Sequence, residues 1–161
     1  VTRRATHRVN GQRGVGLIEV LVAVLVMAIG LLGIAALQAT ALRNSQGSLE
    51  RSQAVLNSYT MLDSMRVNVS AARAGAYDME MTCESPSLLR PAHVPAQRLV
   101  VVDRHSWINQ IKTQLASGCG GIACTAVAGI EARDCRVTIR WDDSRATGGS
   151  DTQEMTTVAR L

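Results

Sequence analysis

Between Val20 and Leu42 the chain runs for 23 residues without a charged side chain, built mostly from Val, Leu, Ile and Ala. No other feature limits the fold as strongly. At about 1.5 Å per residue the run would extend roughly 34 Å as a helix, enough for a hydrocarbon core of about 30 Å. Core helices of globular domains seldom run so far without a polar face, so one transmembrane helix is expected. With 161 residues in all, the chain has room for one domain beyond that span and little room for a second core.

Charge and cysteine count place the two sides of the span. The formal charge is +4, but Arg3, Arg4, Arg8 and Arg13 all precede Val15 in a stretch without Asp or Glu. Without those four, 13 basic residues face 13 acidic ones. The basic character belongs to the leader, and the rest of the chain exerts no net pull on nucleic acid phosphates. Two Trp, two Tyr and no Phe supply no series of stacking platforms for bases either, so nucleic acid is excluded as a partner class. A basic leader stays on the cytoplasmic side, which sends the C-terminal portion across to the periplasm. Four cysteines, Cys83, Cys119, Cys124 and Cys135, fit an exported head held by disulfides.

The junction between leader and span is unusual. A secretory signal peptide places its cleavage site after the apolar region, whereas the candidate site here precedes it. The segment Gly14-Val15-Gly16-Leu17-Ile18-Glu19-Val20-Leu21-Val22 is a Gly closing a basic leader, then an apolar stretch with Glu as its fifth residue. It resembles the type IV prepilin motif. The resemblance implies a dedicated prepilin peptidase that cuts between Gly14 and Val15 and methylates the Val15 amine, so that the apolar segment survives in the mature protein. Val15 and Gly16 depart from the family pattern, where Phe or Met and then Thr or Ser are common.

Glu19 is costly among apolar neighbours unless it is paired or lies near the interface. It can sit favourably in the positive first turn of a helix. The resemblance implies a second role, neutralising the N-terminal amine of a neighbouring subunit in a filament core. Two later stretches, Ala28 to Gln38 and Met61 to Asn68, are similar to the PilV type of minor pilin. The partners that follow from this resemblance are other minor and major pilins, prepilin peptidase, the inner membrane and the pilus assembly platform.

Past the span, Leu42, Leu49, Val55, Tyr59, Leu62, Met65 and Val69 recur at spacings mostly of three, four or seven, which predicts an amphipathic extension whose apolar stripe holds the head. Gly47, flanked by Ser45 and Ser48, is either a bend or a tolerated weak helix former. The expected division is therefore a leader at 1–14, a long helix at 15–69 and a globular head at 70–161. Gly75, Pro86, Pro91 and Pro95 predict an irregular stretch at the start of the head. Asp103 is a reasonable N-cap for a short helix presenting Trp107, Ile108, Ile111 and Leu115, ended by Gly118, Gly120 and Gly121. Ile122 to Val127, Cys135 to Trp141 and Glu154 to Leu161 read as three strands. The fold class expected is α+β, a small antiparallel sheet laid against the long helix.

Chemistry is scarce in the head. The histidines are His7, His93 and His105, and none stands in a nucleophile–base arrangement, so no enzyme and no cofactor are expected. Cys119 and Cys124 lack companions at zinc-site spacing, which favours disulfides. Four cysteines allow three pairings; the turn around Gly129 favours Cys124 with Cys135, leaving Cys83 with Cys119. Asp142, Asp143 and Asp151 could hold calcium, but they lack the regular ligand spacing of an EF-hand and read better as a solvated hairpin loop. The function expected is structural, and the resemblance implies a minor pilin in pilus assembly or initiation. Its rivals are a minor pseudopilin of type II secretion and a single-span protein carrying an adhesive periplasmic head.

Overall fold

The computed structural model describes residue 14 and residues 16–88 and 95–161. The chain divides into two compact units, Val1–Ala39 and Thr40–Leu161. The first contains, among the described residues, the opening of helix α1, which runs Leu17–Val67. This part is apolar on every side and none of its most hydrophobic window is buried. It is long and apolar enough to cross a bilayer.

The second unit is an α+β head. It comprises the rest of α1, the short α2 (Val69–Arg73), strand β1 (Met79–Thr82), α3 (Pro95–Gln114) and strands β2 (Cys119–Ala126), β3 (Arg133–Trp141) and β4 (Gln153–Arg160). The four strands form one antiparallel sheet in the order β1-β2-β3-β4. In β3, Cys135, Val137, Ile139 and Trp141 alternate inward, so the strand pleat builds one apolar face. Against that face lie Trp107, Ile108, Ile111 and Leu115 of α3 and Met61, Leu62 and Met65 of α1. The pattern of apolar residues on α3 predicted from the sequence is the one the core uses.

Several boundaries differ from expectation. α3 begins at Pro95, eight residues before Asp103, because proline is tolerated in the first turn of a helix, where its missing N–H has no partner to lose. Asp103 is consequently not an N-cap; within α3 it accepts a hydrogen bond from the Tyr77 hydroxyl at 2.6 Å. The stretch expected to be irregular contains β1, a fourth strand with a register irregularity between Met79 and Thr82. Gly120 and Gly121 do not terminate a helix but lie inside β2. A Cβ on Gly120 would stand 2.6 Å from the Trp107 ring, so the absent side chain makes room for the indole.

The stripe expected to hold the head is also rearranged. Of its seven residues only Leu62 and Met65 are buried, while Leu42, Leu49, Val55, Tyr59 and Val69 are exposed. The buried face of α1 is instead Gly47, Ala54, Asn57, Ser58, Met61, Leu62 and Met65. Small residues occupy the first turns of this face because the polypeptide comes closest there. α1 does not end or break at Gly47. A Cβ on Gly47 would lie 2.7 Å from the Ala146 Cβ and 3.1 Å from Asp143 Oδ1, so this glycine lets the β3–β4 loop pass against the helix.

Polar contacts fix these elements to each other. Trp107 Nε1 donates to the Asn57 carbonyl at 2.9 Å, and Asn57 Nδ2 donates to Gln114 Oε1 at 2.7 Å, joining α1 to α3. Asp143, 1% exposed, receives Arg51 of α1 at 3.4 Å. Asp78 accepts from the Cys124 amide at 2.8 Å and lies 3.5 Å from Arg133, tying the start of β1 to the β2–β3 hairpin.

Candidate functional site

The N-terminal segment carries the sequence motif, and its local geometry follows from its residues. Gly14 and Gly16 are exposed, and α1 starts immediately after them at Leu17. The Gly16 carbonyl accepts from the amides of Glu19 and Val20 at 2.9 and 3.3 Å, closing the first turn. Val15 and the basic residues Arg3, Arg4, Arg8 and Arg13 lie outside the described residues, as do His7 and His93. Around Gly14, nothing among the described residues lies within 4 Å of where a Cβ would stand. The fold itself therefore sets no requirement for glycine at position 14, in contrast to Gly47 and Gly120.

Glu19 occupies the first turn of α1 and is exposed. The four helical N–H groups without intrahelical partners give this end a partial positive charge, which favours a carboxylate there. Among the described residues no Arg, Lys or His lies within ion-pair distance of Glu19. Among the described residues its partner is the helix terminus and not a cation.

In the second unit α1 presents two opposed faces. Gly47, Ala54 and Met61 recur every seven residues and face the head, whereas Leu42, Leu49 and Leu56 recur with the same period on the other side. The five-residue offset between the two series is about 140° at 100° per residue. Leu42, Leu49 and Leu56 are each about 60% exposed (66%, 58% and 65%), with Val55 and Tyr59 beside them. Among the described residues nothing covers these leucines.

The four cysteines form two disulfides, Cys83–Cys119 and Cys124–Cys135. Cys124 and Cys135 are directly opposed in the β2–β3 ladder, and Thr82 pairs with Gly120, which sets Cys83 beside Cys119. His105 sits on α3 with Nδ1 2.8 Å from the Pro86 carbonyl and Nε2 2.9 Å from Asn109 Nδ2. Since a carbonyl only accepts, Nδ1 carries the proton and Nε2 accepts. The histidine fastens a loop. Asp142 caps the amide of Ser144, and hydrogen bonding from Ser144 holds its carboxyl below the usual range. Asp143 is engaged by Arg51 of α1, so Asp142 serves the loop's own geometry and Asp143 its attachment to the helix. Among the described residues no three His, Cys, Asp or Glu side chains gather as a ligand set.

Sequence reasoning missed Tyr77, which is fully buried between α2 and β1 and donates to Asp103. Burial, then its bond to Asp103, drives its ionisation well above the ordinary tyrosine range, against a smaller opposing effect from Asn68. Nothing in the local sequence marks it. A lone Tyr after Gly75 and Ala76 resembles any loop aromatic until the chain folds.

Comparison with known proteins places the N-terminal segment. Residues 9–35 match the family model described as the prokaryotic N-terminal methylation motif. No curated protein and no solved structure matches the chain. The match spans Gly14, Val15 and Glu19 together with the apolar run as far as residue 35, and it supports a prepilin-like protein of the pilin or pseudopilin kind, subject to prepilin peptidase and anchored by the one long apolar helix among the described residues.

Proposed function

We propose that this protein is a minor pilin, a structural subunit that helps initiate or assemble a type IV pilus. The observation that carries the reading is the methylation motif joined directly to a helix whose most apolar window is exposed throughout. After insertion, the leader at 1–14 is removed by cleavage between Gly14 and Val15, and the new Val15 amine is methylated. The apolar half of α1 holds the subunit in the inner membrane with the head in the periplasm, then enters a bundle of like helices. Glu19 pairs there with the N-terminal amine of a neighbouring subunit. The exposed Leu42, Leu49 and Leu56 of the second unit offer a further surface for a neighbouring subunit.

Cys83–Cys119 and Cys124–Cys135 suit a head that works outside the cytoplasm. The partners are other minor and major pilins and the assembly platform. No reaction is catalysed by this subunit; the work is done by association. Intact mass of the protein from sheared pili tests the reading: it should begin at Val15 and carry one added methyl group. Retention of Arg13 or Gly14 in assembled filaments would refute the processing. A deletion strain separates the pilin from a type II pseudopilin, since the first loses pili and the second loses secretion.

A further inference from the structure

The two disulfides occupy different environments. Cys124 and Cys135 are 8% and 0% exposed and belong to the core cluster. Cys119 is also buried at 5%, but its partner Cys83 lies on the surface, immediately after the edge strand β1. Thiol–disulfide exchange requires a thiolate to reach one sulfur along the axis of the bond, so access decides which disulfide reacts. We propose that Cys83–Cys119 is an exchange site for an external dithiol, a thiol–disulfide oxidoreductase or its small-molecule equivalent, with the Cys83 sulfur the one attacked.

The step balances without any further reactant. A thiolate of the dithiol bonds to Cys83 Sγ, the Cys83–Cys119 bond breaks, and Cys119 leaves as a thiolate that takes up a proton. The second thiolate of the reagent then attacks the mixed disulfide and releases Cys83. The protein disulfide is reduced by two electrons and the dithiol is oxidised to its own disulfide.

The fold is arranged to survive this step. On one side of Cys83, Thr82 pairs with Gly120. On the other, the Ser85 hydroxyl donates to Asn109 Oδ1 and the Pro86 carbonyl accepts from His105, both on α3. The segment stays attached at both flanks after the covalent link opens. Around the core, Cys124–Cys135 and the apolar face of β3 are untouched. Opening therefore loosens the edge of the sheet and leaves its centre closed.

The test uses the full chain in detergent micelles under native conditions. Reduced glutathione, a monothiol, should leave its mixed disulfide on Cys83 as read by peptide mass spectrometry. With limiting dithiothreitol, alkylation should label Cys83 at least about 10-fold faster than Cys124 and Cys135, because the buried pair is reduced only after the core opens, and Cys119, itself buried, should follow more slowly than Cys83. The emission of Trp107 and Trp141 should keep its wavelength through the first reduction, only its intensity responding, since the Trp107 ring lies against Gly120, next to the quenching disulfide. Glutathione found on Cys119, Cys124 or Cys135 instead would overturn the proposal. So would equal labelling rates for Cys83 and the buried pair, or a shift in the wavelength of tryptophan emission that accompanies the first reduction, since either means that exchange waits for unfolding.

Discussion

A carboxylate in the first turn of an apolar helix has two ways to be stable, and Glu19 shows one of them within a single chain. The helix terminus supports its charge, while no cation of the described residues approaches it. In the proposed filament the cation is a neighbour's amine, so Glu19→Ala should leave insertion and cleavage intact and reduce recovery in sheared pili. Stranding one member of a buried pair costs about 3 to 5 kcal/mol, enough to lower incorporation by at least about 100-fold at matched membrane levels. Equal incorporation would return Glu19 to a helix-terminus role. Tyr77 is the opposite case, a polar group whose partner is internal. Its hydroxyl stays protonated in the fold to a pH well above the ordinary tyrosine value of about 10, at which the unfolded chain ionises. The contribution is therefore whole below pH 10 and falls as pH rises beyond it, where the unfolded state gives up its proton first. Tyr77→Phe should melt earlier at pH 7, by about 1 to 3 kcal/mol, and lose less stability between pH 9 and 11 than the parent. Parallel melting curves across that range would contradict the assignment.

Among the elements, α1 has the sharpest division of labour. Its head-facing side begins with Gly47, Ala54 and Ser58 because close approach matters more there than apolar area, and the larger Leu42, Leu49 and Leu56 are left facing away. Gly47→Ala illustrates the balance. Alanine improves helix propensity by about 1 kcal/mol, yet its Cβ would lie 2.7 Å from the Ala146 Cβ and press on the loop that carries Asp143. The variant should lose stability despite the better helix former, and Ala146→Gly in the same chain should recover most of the loss. Thermal melts of the two single variants and the double variant measure the coupling; additive losses would mean that the loop does not depend on this contact.

At the scale of the whole molecule, the core of the second unit uses only residues from Ala54 onward. A chain beginning at Thr40 should therefore fold without the apolar segment, keep both disulfides, and melt in one cooperative transition, as size-exclusion and calorimetry would report. Removing Cys124 and Cys135 together as alanines should cost that domain about 3 kcal/mol or more, from loop closure and lost core volume. The full chain, by contrast, should require detergent for extraction from membranes. Loss of cooperative folding in the Thr40 chain would show that the head needs the segment it lacks.

How much of this was legible in the sequence differs from element to element. The apolar run, the methylation motif and the inward faces of β3 and α3 depend on local composition and periodicity, so Val20 to Leu42, Gly14 to Glu19 and the run Cys135 to Trp141 stand out in the sequence. The α+β class followed from them. The face of α1 that meets the head could not be read, because apolar residues recur on both sides at the same seven-residue period and hydrophobicity alone cannot say which side is covered. Pro95 looked like a breaker, yet the same residue opens a helix when it falls in the first turn. β1 is four residues long and gains its strand character from pairing with β2. Gly47, Gly120 and Tyr77 owe their importance to Ala146, Trp107 and Asp103, partners far along the chain. The sequence determined what enters the membrane and which residues are apolar enough to form a core; tertiary structure decided which apolar face is spent inside and which remains for a partner, because that choice depends on distances between segments that no local pattern contains.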